Sequence, residues 1–168
     1  VLVRARAAMK NALMDAWSAR TENLPLTEPY EALILASIVE KETGVASERP
    51  EIAGVFTRRL ALRMRLQTDP TVIYGLGTEF DGNLTRRHLR DDNNQFNTYR
   101  IAGLPPTPIA LPGKEAIVAS LNPKDGEALY FVAKGDGSHA FSRTLSEHEE
   151  NVRRYQLKRR KDYRSSPK

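Results

Sequence analysis

The run from Ala32 to Val39 is apolar except for Ser37, and it closes on Glu40, Lys41, Glu42 and Gly44. A helix that is apolar nearly all round has to lie inside a protein. This segment is therefore the centre around which the rest of the chain must pack. Ionisable groups at the end of such a helix sit at the core surface, in a cleft or beside a partner. Low-dielectric surroundings disfavour the charged form of a carboxyl, and the negative end of the helix dipole acts the same way. A carboxyl kept protonated near neutral pH can protonate a leaving group.

Glu40 and Glu42 are two residues apart, so on a helix they point about 200° apart and cannot share a face. From the helix pattern alone, a solvated helix end and a cleft carboxyl both stand. Glu40 shares its face with Leu33, Ala36 and Ser37, and of the two it is expected to face the cleft.

The flanking sequence predicts further helices. Leu2, Ala5, Met9, Leu13 and Trp17 recur at helical spacing over 1–19. Thr27 is the expected N-cap of the buried helix, with Pro29 in its first turn. Ser47 caps a helix whose stripe is Ile52, Val55, Phe56 and Leu60, with Arg58, Arg59 and Arg63 largely off it. Asp69 and Pro70 start a short helix that Gly75 ends, Thr85 to Leu89 forms one helical turn, and 91–95 is expected to be exposed. The segment 96–101 is expected to be extended. Three prolines in 103–108 exclude regular helix or central strand there. A helix over 112–121 follows. Residues 128–134 and 139–143 read as a hairpin turning at Gly135-Asp136-Gly137. Thr144 with Glu147 is a capping box for a last helix. Helices first and a small antiparallel sheet late make the class α+β, with a C-terminal helix. The expected divisions are 1–26 as N-terminal helix and linker, 27–157 as the catalytic domain, and 158–168 as a basic, disordered tail.

The chain has no cysteine, which removes disulfides, thiolate metal sites and cysteine nucleophiles. Its net charge of +5 is unevenly placed: eight Lys or Arg against one Asp give +7 in 151–168 and leave −2 for 1–150. A basic tail can touch nucleic acid or anionic lipid, or be a solvated helix end. No interleaving of aromatic and basic residues suggests a nucleic-acid platform. The three histidines lack metal-ligand spacing, so no metal and no cofactor is expected. No apolar run reaches the length of a membrane span. The chain opens on Val1 and is expected to be a piece of a longer protein.

Three other stretches are candidates for binding, each beside a plainer reading. Gln67 could reach a ligand amide or hydroxyl, although Asp69 and Pro70 are also good helix-start residues. Asn97 and Tyr99 on one face of a strand could bind a sugar or simply face outward. His139 and Phe141 share one face of the hairpin.

Taken together, Ala36 to Thr43, Arg65 to Gly75, Asn97-Thr98-Tyr99, Gly103-Leu104-Pro105-Pro106, Leu129 to Ala133 and His139-Ala140-Phe141 resemble the endolytic murein lytic transglycosylases of bacteria, the MltG or YceG-like family. The resemblance covers roughly residues 28–155. It implies cleavage within peptidoglycan glycan strands between N-acetylmuramic acid and N-acetylglucosamine, leaving 1,6-anhydromuramic ends. It implies a role in terminating nascent strands, a link to peptidoglycan synthases, and a single-pass anchor in the bacterial inner membrane upstream of this chain, with the catalytic part facing the periplasm or cell exterior. Residue by residue, it places the catalytic glutamate at Glu40 and the substrate-binding set at Gln67, Asn97, Tyr99, Glu42 and His139. One carboxyl would act as general acid and then general base. The rival readings are a peptidoglycan-binding module that does not cut and, more distantly, nucleic-acid binding through the tail.

Overall fold

A computed structural model describes residues 2–157. The apolar run forms helix α2, Pro29–Glu42, in which every residue from Ile34 to Val39 is buried. Around it pack α1 (Leu2–Ser18), α3 (Arg49–Ala61) and α6 (Lys114–Leu121). Leu35, Ile38, Ile52, Phe56, Ile117 and Leu121 form the centre of the core and are all at most 1% exposed. Leu13 and Ala16 of α1 join the same core, and Thr21 N–H donates to the Leu121 carbonyl. Gly54 lets the chain after α6 cross α3 closely, since a Cβ there would meet the Lys124 carbonyl oxygen at 2.6 Å.

Two short helices, α4 (Asp69–Leu76) and α5 (Arg86–Leu89), lie on the connection between α3 and α6. Strands β1 (Tyr130–Ala133) and β2 (His139–Ser142) pair antiparallel, with Phe131 opposite Phe141 and Ala133 opposite His139. Gly135 and Gly137 turn the hairpin at φ of 91° and 95°, conformations that glycine adopts without a Cβ penalty. Helix α7 (Leu145–Val152) begins with the expected capping box of Thr144 and Glu147 and continues in a wider turn over Arg153–Leu157. The α+β class therefore holds. None of the helices is long and apolar enough to cross a membrane among the described residues. The basic segment 158–168 lies outside the described residues.

Several local expectations are corrected. The N-cap of α2 is Glu28, and Thr27 instead bonds the Glu31 carboxylate through its N–H and hydroxyl. Ser47 lies in a single tight turn before α3, and Thr68 rather than Asp69 occupies the cap position of α4. Asn94 is buried rather than exposed, because its amide donates to the Val72 carbonyl at 3.1 Å.

Residues 96–101 are a series of turns, not a strand. Asn97 is fully buried, and its amide group serves the carbonyls of His88, Leu89 and Asp91 at 3.2, 3.3 and 2.9 Å. Its side-chain oxygen accepts from Tyr99 N–H at 3.1 Å. A side chain that satisfies this many backbone groups folds the segment back on itself, so no neighbouring strand is required. Asn97→Ala would take the side-chain donor from the half-buried carbonyls of Leu89 and Asp91, at roughly 1–3 kcal/mol each. A loss of about 2–4 kcal/mol is expected, read as a lower urea midpoint at unchanged slope.

Candidate active site

A cleft of about 740 Å³ opens between the helical body and the hairpin with α7. Helix α2 contributes Lys41 and Glu42, and α3 contributes Phe56 and Arg59. Gln67, Asp69 and Tyr99 come from the connection, while Tyr130, Phe131, His139 and His148 form the far side.

Glu42 lies at the C-terminal end of α2, partly open to this cleft. Its carboxyl accepts a short hydrogen bond from the Thr68 hydroxyl. Burial raises its pKa from the ordinary 4.5 to about 7; the Thr68 bond works against the rise, and the nearby charge of Asp69 adds to it. A carboxyl in this range is half protonated near neutral pH, as a general acid requires.

Asp69, in the first turn of α4, is exposed and accepts a 2.6 Å hydrogen bond from the Tyr99 hydroxyl. Burial first, and the charge of Asp69 second, hold the Tyr99 phenol well above its usual range, so it remains a donor. A second carboxylate from another element thus stands beside Glu42. Gln67 is exposed at the cleft and held at φ 52°. That left-handed conformation is costly for a side chain with a Cβ. Its Oε1 accepts from Arg59 at 3.4 Å.

Arg59 is 6% exposed. Its Nε donates to the Leu129 carbonyl at 2.7 Å, and its Nη1 to the carbonyls of Arg65 and Leu66 at 2.9 and 3.1 Å. It therefore ties α3 both to the connection and to the start of the hairpin. The expectation that Arg59 lies off the buried stripe fails because these carbonyls surround its guanidinium. His139 is buried, with Nδ1 2.8 Å from the Glu48 carboxylate and its backbone N–H donating to the same group at 2.9 Å. Its ring meets Phe131 edge-on at 5.4 Å.

Glu40 is on the other side of α2. Its Oε2 accepts from the N–H of Gly113, the residue that precedes α6, at 3.0 Å. The face it shares with Ser37 is occupied, because the Ser37 hydroxyl accepts from Ile109 N–H at 2.9 Å. Of the expected site residues, then, Glu42, Gln67, Tyr99 and His139 meet in the cleft. Glu40 and Asn97 do not line it. Sequence reading missed Arg59, Asp69 in its cleft position, Tyr130 and His148. No spacing marks them, since each is brought in by a different element.

Residues 1–154 match the YceG-like family. The chain belongs to the YceG-like family. This YceG-like chain is 40% identical over 126 residues to an endolytic murein transglycosylase of Bacillus subtilis (strain 168), covering 75% of the chain and 34% of that protein. It is 33% identical over 151 residues to an endolytic murein transglycosylase of Streptococcus pneumoniae serotype 2, covering 87% of the chain and 27% of that protein. It thus spans about a third of the length of the curated relatives it matches. The crystal structure of a yceG-like protein from Listeria monocytogenes is similar at a TM-score of 0.66 and 43% identity, over 73% of this chain and 38% of that one. Among the described residues of the YceG-like chain, no group of His, Asp and Glu is placed to hold a metal ion.

Proposed function

We propose that this domain cleaves peptidoglycan glycan strands as an endolytic lytic transglycosylase, with Glu42 as the acid and then the base. The observation that carries this reading is a half-buried glutamate, its pKa raised to about 7, at the wall of the cleft. The curated relatives named endolytic murein transglycosylases supply the substrate class. Protonated Glu42 donates to the glycosidic oxygen between N-acetylmuramic acid and N-acetylglucosamine, and the C1–O bond breaks. The carboxylate then takes the proton of the muramic C6 hydroxyl as that oxygen bonds to C1, which closes the 1,6-anhydro ring. The nucleophile is already part of the substrate, so proximity is built in. Asp69, oriented by Tyr99, faces the cationic centre that develops at C1 with negative charge. Glu40 has a structural part, holding the start of α6 to α2. An upstream membrane anchor, a periplasmic or external site of action, synthase partners and a role in ending nascent strands belong to the same proposal.

Mass spectrometry of products from purified glycan strands tests it. Anhydromuramic ends are the expected result. Reducing ends that have gained water would overturn the lytic scheme and make Asp69 the activator of a hydrolytic water.

The pH profile is a second test. The reactive form is the protonated one, so kcat/KM should fall as pH rises through about 7. Thr68→Val removes the hydrogen bond that favours the carboxylate, so the fall should move to higher pH. Asp69→Asn removes a neighbouring negative charge and should move it to lower pH.

A further inference from the structure

Arg59 makes fewer interactions than its burial calls for. Its Nε and Nη1 hydrogens are taken by backbone carbonyls and the Gln67 side chain. Its Nη2 has no acceptor among the described residues, yet it is not one of the unpartnered atoms sealed from solvent. No carboxylate pairs with Arg59 among the described residues. The acids that line the cleft are otherwise engaged: Glu42 by Thr68, and Asp69 by Tyr99. A buried cation is normally paired. This one lines the cleft with its two Nη2 hydrogens free and no counter-charge among the described residues.

Its geometry is also fixed. Three carbonyls hold the guanidinium, and the Tyr130 ring lies 4.9 Å from its central carbon. His148 stacks on the other partner of this layer, 5.2 Å from Tyr130 with an interplanar angle of 22°. The Nδ1 of His148 is buried and unpartnered. Burial lowers the pKa of His148, and the Arg59 charge lowers it further, which favours the neutral imidazole. A rigidly held guanidinium with both Nη2 hydrogens free suits an anionic oxygen, such as one of a carboxylate, as a charge-assisted acceptor.

From the free Nη2 of Arg59 and the absence of a counter-ion, we infer that this part of the cleft is a carboxylate-binding subsite that selects acidic glycan. The inference rests on the glycan-cleaving reading above. The carboxylate has two possible sources, the lactyl group of the muramic sugar or an acid of an attached peptide. Arg59 is then a specificity residue, set apart from the proton chemistry of Glu42.

The test is calorimetric binding to Glu42→Gln protein, in which strands are not consumed. The ligands are peptide-free glycan strands, the same strands with methyl-esterified lactyl groups, peptide-bearing strands, and peptide-bearing strands with their peptide acids amidated. A lactyl source predicts that esterification weakens binding by about tenfold or more. A peptide source predicts that amidation does so, with peptide-free strands binding no better than the amidated ones. In either case the preference should shrink with added salt and in Arg59→Lys, which keeps the charge and loses the Nη2 donor of the carbonyl-held guanidinium. Equal binding of all four ligands would overturn the carboxylate subsite and leave the glycan reading standing. Binding of none would overturn both. The ligand series on its own decides the matter if Arg59→Lys fails to fold.

Discussion

Glu42→Gln is expected to lower turnover of glycan strands by at least about 10³-fold, while Glu40→Gln stays within a few-fold of wild type. Glutamine keeps the shape of the side chain and can still accept from the Thr68 hydroxyl, but it neither gives nor takes the proton. Both halves of the proposed reaction use that one carboxyl, so no partial route through it remains. Glu40 meets the Gly113 N–H instead. A glutamine oxygen can accept that bond, so the start of α6 should stay in place. The measurement is the rate of anhydromuramic end formation by both variants beside wild type. Loss of turnover in Glu40→Gln with retention in Glu42→Gln would reverse the assignment.

Phe56→Ala is expected to be the most damaging of the core changes. Phe56 is 1% exposed in α3, packs into the core around α2, and meets Phe131 of the hairpin edge-on at 5.7 Å. Truncating a buried phenylalanine costs about 3–5 kcal/mol, a large part of the roughly 5–15 kcal/mol that holds a domain together. At about 2–4 °C per kcal/mol for a chain of this size, the melting temperature should fall by roughly 6–20 °C. Thermal unfolding followed by circular dichroism reads it. Phe56→Leu retains most of the volume and should cost much less. The ring also lines the cleft, so turnover in Phe56→Ala should drop at temperatures where the protein is still folded.

What the sequence made legible was local. The apolar run of α2, the capping box at Thr144 and the glycine turn of the hairpin each encode their structure within a few residues, and each appears as read. The segment around Asn97 was misread because its conformation depends on carbonyls up to nine residues away, and nothing in the pattern 96–101 announces them. The faces of Glu40 and Glu42 could be told apart by helical geometry. Which face is open could not, since that depends on Ile109 and Gly113 arriving from more than 70 residues downstream. The same limit hid Arg59: its environment is built by carbonyls of Arg65, Leu66 and Leu129.

The burial of Glu42 also makes the proton a ligand of the folded state. An unfolded chain releases that proton near pH 4.5, whereas the folded one holds it to about 7. Stability contributed by this group is complete below 4.5 and is lost as pH rises through 7. The raised pKa corresponds to about 3–4 kcal/mol at most, less whatever solvent in the open cleft screens. At pH 8 the domain therefore folds against its own acid, and Glu42→Gln, uncharged at every pH, should unfold at a higher temperature there than wild type. The proton that stabilises the folded cleft is thus the same proton that equips it to break a glycosidic bond, and raising the pH removes both together.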